Sequence, residues 1–274
     1  MELGQAFPKY QKQGLGLAVV TYDSPEVIKN FTDRLGINVP ILSDPDSKII
    51  RDFGILNTNI PRTSFQYGIP FPGTYTLDTK GVVTAKYFED TYRERITPNF
   101  ILSRQFGEAG IRKSQVRTDH LTLTSYVSDD KAYAGNRVSL ILDIEMPQLM
   151  HLYAPGVKGY KPVAFQLDPH PNVRFFDTNF PKAAIMNSPV IKERVPVYSG
   201  KVRITRDIIL GTDDSMRKES TVEITGTFEY QACDDKICYL ETKLPLTFSL
   251  VVQNQDIPRV PENLRRPAPA AANR

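Results

Sequence analysis

The 274-residue chain has no tryptophan, only two cysteines and only three histidines. Two cysteines are too few for a disulfide-stapled scaffold, and a chain this long can bury a core without one. His120, His151 and His170 are scattered. A structural zinc site wants four Cys or His ligands, so zinc finds no second pair here. Each histidine reads as a surface or satisfied strand residue. Long apolar runs are also missing; none approaches the ~18 residues a membrane span requires. The N-terminal MELGQAFPKY has no basic head followed by an apolar stretch, so the sequence shows no signal peptide. Charge of one sign is lacking too. Lys and Arg number 34 against 31 Asp and Glu, a net +3 without a basic block, which gives nucleic-acid binding no support.

What is present is ordinary for a globular chain: 41% hydrophobic and 24% charged residues. The 21 prolines favour turns and short elements over long helices. At roughly 100–200 residues per domain, the length suggests two domains.

The first hundred residues alternate strand and helix signals. Residues 16–22 (GLAVVTY) are a β-branched apolar run suited to a buried strand. Ser24 and Pro25 then start a helix, with Ser24 as cap and Pro25 carrying no N–H to leave unsatisfied. Val27, Ile28, Phe31 and Leu35 recur at helical spacing, and Gly36 ends the element. Residues 38–42 predict a second strand and 47–53 a short helix. Residues 73–78 and 82–88 predict a hairpin turned at Thr79-Lys80-Gly81. A last helical stretch runs from Thr91 to about Phe106, with Pro98 as a break. This order points to an α/β layer.

From His120 onward helical periodicity gives way to alternation. The runs are 120–127, 137–145, 200–210, 220–230 and 243–252. Separated by Pro, Gly, Asn and Asp clusters, they predict an antiparallel sandwich. The expected organisation is an α/β domain over 1–107, a linker over 108–117, a sandwich over 118–254 and a disordered Pro/Ala/Arg-rich tail over 255–274.

Cys233 and Cys238 stand in QACDDKICYLE, between two of the predicted strands. A turn can bring their α-carbons within the ~5.5 Å that a disulfide favours. Closing so short a loop removes roughly 2 kcal/mol of unfolded-state entropy, a weak reason for a staple. A bond that forms easily and stabilises little suits reversible exchange. Asp234 and Asp235 would raise a nearby thiol pKa, while Lys236 would lower it. A static disulfide and a pair of free thiols both stay open on spacing alone.

The flanks narrow this. YQACDDKICYLETKLPLTFSL resembles the last strands of the N-terminal domain of the thiol–disulfide interchange protein DsbD. That domain is an immunoglobulin-like sandwich with a cysteine pair near a strand hairpin, followed by an aromatic and usually a proline. Tyr239 fits the aromatic, whereas Leu240-Glu241 replaces the prolines. MHLYAPG (150–156) is similar to an aromatic-rich strand segment of the same family. The resemblance spans about 117–253. It implies that Cys233 and Cys238 take electrons from one dithiol protein and pass them to another.

A second resemblance covers the first hundred residues. GLGLAVVTYDSPEVIKNFTDRLGINVPILSDPDSKIIRDFGI and PFPGTYTLDTKGVV look like a redoxin of the AhpC/TSA class. In thioredoxin folds the proline before the sheet's third strand is often cis and packs beside the active cysteine; Pro72 occupies that place. The family's cysteine lies at the start of the first helix. Residues 1–12 read as the later turns of that helix, and no cysteine precedes Cys233. The resemblance therefore implies a domain without its active thiol, an exposed sheet edge, and a reading frame that begins upstream of Met1.

The combined expectation is an α+β multidomain chain: an incomplete thioredoxin-like α/β domain followed by an immunoglobulin-like antiparallel β-sandwich. Its function would be a thiol–disulfide relay through Cys233 and Cys238, with Pro72, Asp234, Asp235, Lys236 and Tyr239 in support, attached to a redoxin domain that in complete form would be an antioxidant peroxide or disulfide reductase. No cofactor or metal is implied. Partners would be thiol- or disulfide-bearing redox proteins, and resemblance places the chain in the periplasm or another extracytoplasmic space. The alternative is a non-catalytic binding module with a structural disulfide. Ser215-Met216-Arg217-Lys218 matches S-x-x-K without its companion motifs. Asp44, Asp46, Asp213 and Asp214 lack EF-hand spacing and read as caps and turns.

Overall fold

The computed structural model describes residues 2–89, 91, 93–107, 112–187, 194–213, 216 and 218–254. The chain divides into two compact units, with the division at Pro98/Asn99.

The first unit contains α1 (Glu2–Lys12), β1 (Val19–Thr21), α2 (Pro25–Leu35), β2 (Ile41–Ser43), α3 (Lys48–Asp52), β3 (Gly73–Leu77), β4 (Val83–Phe88) and β5 (Arg95–Ile96). The α2 boundaries follow the sequence signals. The Ser24 hydroxyl accepts from the Val27 amide, and Gly36 closes the helix at φ 61°, where only glycine is unstrained. Asp44 caps α3: its carboxylate accepts from the Lys48 and Ile50 amides, both at 2.9 Å. β1 and β2 pair in parallel, and β3 and β4 form the expected hairpin.

The second unit opens with α4 (Pro98–Phe106). The expected break at Pro98 is corrected here. Proline starts this helix because the first helical N–H has no intrahelical partner to lose, and residues 95–96 before it are extended. Strands β6 (Lys113–Arg117), β7 (Thr122–Val127), β8 (Lys131–Ala132), β9 (Asn136–Glu145), β10 (His151–Tyr153), β11 (Ala164–Leu167) and β12 (Val173–Asn179) follow. They are succeeded by β13 (Ala184–Asn187), β14 (Arg194–Ser199), β15 (Lys201–Leu210), β16 (Ser220–Tyr230), β17 (Ala232–Cys233) and β18 (Thr242–Val252). Within the segment expected as linker, residues 113–117 form β6, which pairs with β7 and packs Val116 against the core. Residues 108–111 and the expected tail at 255–274 lie outside the described residues, as do Asp214, Ser215 and Arg217.

One sheet runs β12-β15-β9-β7-β6, a second β11-β16-β18-β8, and a third β13-β14-β10-β17. The core follows from period-2 alternation. Leu140, Leu142 and Ile144 of β9 and Ile204 and Ile208 of β15 meet Ile224 and Phe228 of β16 and Leu246, Phe248 and Leu250 of β18. Gly226 of β16 is required by close approach, since a Cβ there would run into the Gln166 carbonyl oxygen of β11. Asp207 of β15 is buried and fully engaged. It accepts from Arg104 of α4 at 2.5 Å, Arg137 at 2.8 Å and the Ser139 hydroxyl at 2.7 Å.

Candidate functional site

The site is assembled where β10, β17 and the following turn meet. Cys233 and Cys238 face each other as an isolated antiparallel bridge. Hydrogen bonds flank the bridge on both sides: the Asp234 amide donates to the Ile237 carbonyl at 3.0 Å, and the Tyr239 amide to the Ala232 carbonyl at 2.8 Å. The two cysteines thus form a non-hydrogen-bonded pair, the register position that brings side chains closest. Their α-carbons are 4.1 Å apart and their sulfurs are joined.

Asp234 shapes the turn. One carboxylate oxygen accepts from the Lys236 and Ile237 amides, each at 2.8 Å, and the other from the Tyr239 hydroxyl at 2.8 Å. These donors, the Ile237 and Lys236 amides first, hold the carboxyl below its ordinary pKa. Tyr239 is pushed the other way by its bond to Asp234. Its ring also packs against His120 at a tilt, with centroids 4.4 Å apart. Asp235 and Lys236 are exposed at the turn's tip.

The sulfurs differ in access. Cys233 is 1% exposed, whereas Cys238 is open to solvent. The difference follows from position: Cys233 ends β17, which is paired to β10, while Cys238 stands on the outgoing arm of the turn. An attacking thiolate therefore meets Cys238 first.

β10 supplies the floor. Its alternation sends Leu152 into the main core, while Tyr153 joins a smaller apolar cluster with Cys233, Val195 and Val197. The Tyr153 hydroxyl lies 3.5 Å from each sulfur, so its proton can point at either. Burial, and then Tyr160, raise its pKa, so the phenol stays protonated and acts as a donor. Tyr160 stacks on it at 4.4 Å. A groove of about 600 Å³ opens over the disulfide, with Leu149, Ile185 and Met186 among its apolar lining. Leu149 and Ile185 are themselves exposed at 66% and 56%.

Of the residues singled out from sequence, the structure gathers Cys233, Cys238, Asp234, Asp235, Lys236 and Tyr239 into this hairpin. Pro72 is elsewhere, at the entrance to β3 in the first unit. Its peptide bond is trans, and its unit contains no cysteine, in keeping with the missing thiol noted from the sequence. The sequence did not single out Tyr153 or Tyr160, and it gave His151 only as a surface or satisfied strand residue. The aromatic-rich segment around Tyr153 was legible as a strand of the related family. Its approach to the sulfurs depends on the β10–β17 register, which no local pattern reveals.

The fold and the hairpin disulfide define a class: an immunoglobulin-like sandwich with a cysteine pair joined across a turn, preceded by a thioredoxin-like region. Comparison with known proteins finds a similar family for each region. Residues 124–248 match the family model of the thiol:disulfide interchange protein DsbD, N-terminal, and residues 1–86 match that of the AhpC/TSA family. The chain thus carries, in order, a region similar to AhpC/TSA redoxins and a region similar to the amino-terminal domain of DsbD. Curated relatives include the thiol-disulfide oxidoreductase ResA of Bacillus anthracis, 22% identical over 95 residues, which are 34% of this chain and 47% of that protein. Peroxiredoxin tpx1 of Schizosaccharomyces pombe is 40% identical over 48 residues, 18% of this chain and 21% of its own. The chain spans less than half the length of these relatives. Among solved structures, the N-terminal periplasmic domain of ScsB from Proteus mirabilis aligns at 15% identity and TM-score 0.31, covering 57% of this chain and 53% of that one. The reduced N-terminal domain of Neisseria meningitidis DsbD aligns at 12% and 0.29, covering 42% and 82%.

Proposed function

We propose that the sandwich is a thiol–disulfide relay whose reactive bond is Cys233–Cys238. The observation that carries this is the asymmetry of the pair: an open Cys238, a buried Cys233, and a tyrosine hydroxyl within 3.5 Å of both sulfurs.

In the accepting direction, a partner thiolate attacks the Cys238 sulfur. The Cys233–Cys238 bond breaks, a partner–Cys238 disulfide forms, and Cys233 leaves with the electron pair as a thiolate. The Tyr153 O–H then donates to that thiolate, which lowers the cost of leaving. A second thiolate of the partner attacks its own sulfur in the mixed disulfide, and Cys238 is released reduced. Two electrons have moved to the sandwich. In the donating direction, Cys238 attacks and Cys233 resolves.

The partner class is a dithiol or disulfide protein with an apolar surface around its reactive sulfur, matching Leu149, Ile185 and Ile237 around the groove. The periplasm is the compartment we assign, because disulfide exchange of this kind operates where disulfides persist. The redoxin region has no cysteine. We assign the exchange chemistry to the sandwich, which holds both cysteines of the sequence.

Trapping tests the reading. A Cys233→Ser variant retains the attacking sulfur but cannot resolve, so it accumulates a mixed disulfide with an activated aromatic disulfide or with a partner protein in its disulfide form. Cys238→Ser leaves only the covered sulfur and reacts far more slowly. Equal reactivity of the two variants, or failure of both to react, would instead support a structural bond.

A further inference from the structure

β10 brings a second polar side chain to the disulfide. His151 is 6% exposed and stands directly opposite Cys233 in the β10–β17 ladder. Opposed residues of an antiparallel pair project from the same face, with Cβ atoms about 4.5–5.5 Å apart. Both line the groove. The Leu149 carbonyl acts on the His151 ring and favours its protonated form. Leu149 holds an unusual left-handed backbone for a non-glycine, φ 71°. In a neutral imidazole one ring nitrogen carries the proton and the other is an acceptor.

The surroundings decide the charge. Burial lowers the His151 pKa, opposed by the Leu149 carbonyl and the Asp234 carboxylate. The other titratable groups of the groove are Tyr153, Tyr160, Asp235 and Lys236. On the far side β14 presents Ser199, opposite His151. Tyr153 keeps its proton, and Asp234 is occupied by three donors. His151 is left as the group suited to take a proton near Cys233.

We propose that His151 is the general base that activates Cys233 in the resolving step. The inference rests on the relay reading. With Cys238 joined to a partner sulfur, the Cys233 thiol gives its proton to the imidazole acceptor nitrogen. The resulting thiolate attacks the Cys238 sulfur and the Cys233–Cys238 bond forms. The bond between Cys238 and the partner breaks, and the partner sulfur leaves with the electron pair and takes up a proton. The sandwich is oxidised by two electrons, and the partner disulfide is reduced.

The reduced full chain is mixed with 5,5′-dithiobis(2-nitrobenzoate), and release of the coloured thiolate is followed across pH. Release comes in two phases, labelling of Cys238 and then resolution by Cys233. In the wild type, the second phase runs on a plateau from neutral pH down to the imidazole's own titration. In His151→Gln the first phase is unchanged. The second is slowed at least about tenfold at neutral pH and rises only through the ordinary thiol range near pH 8.5. A wild-type second phase that rises only through the thiol range overturns the proposal without reference to any variant. So does a His151→Gln profile of wild-type shape, whatever its height. Absence of the first phase in the wild type removes the relay itself, a different result from failure of the base alone.

Discussion

Replacing Tyr153 by phenylalanine removes one hydroxyl and leaves the ring on Tyr160, 4.4 Å away. The hydroxyl lies 3.5 Å from both sulfurs, at the long end of hydrogen-bond reach and shared between them. A hydrogen bond to a charged group contributes about 1.5–3 kcal/mol, and this geometry argues for the lower figure. Loss of about 1.5 kcal/mol from the Cys233 thiolate raises that thiol's pKa by about one unit. A leaving group gains only part of its charge in the transition state, so reduction should slow by about 3- to 10-fold. With no tryptophan to report the change, quenched-flow alkylation read by mass is the assay: the oxidised chain is mixed with dithiothreitol and thiols are trapped over time. Identical rates for wild type and Tyr153→Phe, together with an unchanged Cys233 pKa, would refute the role given to the hydroxyl.

Other perturbations have defined outcomes. Asp234 has a depressed pKa, so the order it gives the turn is complete above the ordinary carboxylate range, about pH 4, and is lost as pH falls through its own lower value. Amide exchange at Lys236 and Ile237 should therefore be flat from neutral pH to about 4, once corrected for intrinsic rates, with protection dropping below it; Asp234→Ala should lack that protection throughout. Asp207→Ala leaves Arg104 and Arg137 without their shared carboxylate and should cost about 3–5 kcal/mol in urea unfolding. A loss below 1 kcal/mol would contradict the anchoring of α4 through this cluster. Phe228→Ala empties a fully buried site beside Tyr230 and should also cost about 3–5 kcal/mol.

The long strands were legible because each carries a full period-2 pattern. β9, β15, β16 and β18 fall within a residue or two of the runs read from sequence. α2 was legible from its caps, Ser24 and Gly36, which act locally. The short strands β10, β13 and β14 were harder. Three to six residues cannot display a period, and these strands are defined by partners distant in sequence, such as Leu152 with Tyr198. Pro98 carried the same letter for a helix break and a helix start, and only the extended residues before it decide between them. At the site, the cysteine pair and the Asp234 turn were readable because they lie within a few residues of one another. Tyr153 reaches the sulfurs, and His151 comes to stand opposite Cys233, only through the β10–β17 pairing, about 80 residues away in sequence. The asymmetry of access between the sulfurs is likewise a product of that pairing.

The most direct measurement is the midpoint potential of the Cys233–Cys238 couple in the intact chain, obtained by equilibrating it in graded thiol–disulfide buffers and counting alkylated sulfurs. A relay predicts a value above about −300 mV, where exchange with other dithiol proteins runs both ways. A midpoint well below about −300 mV would show a bond built to persist, and the sandwich would then be a stapled scaffold and not an electron carrier.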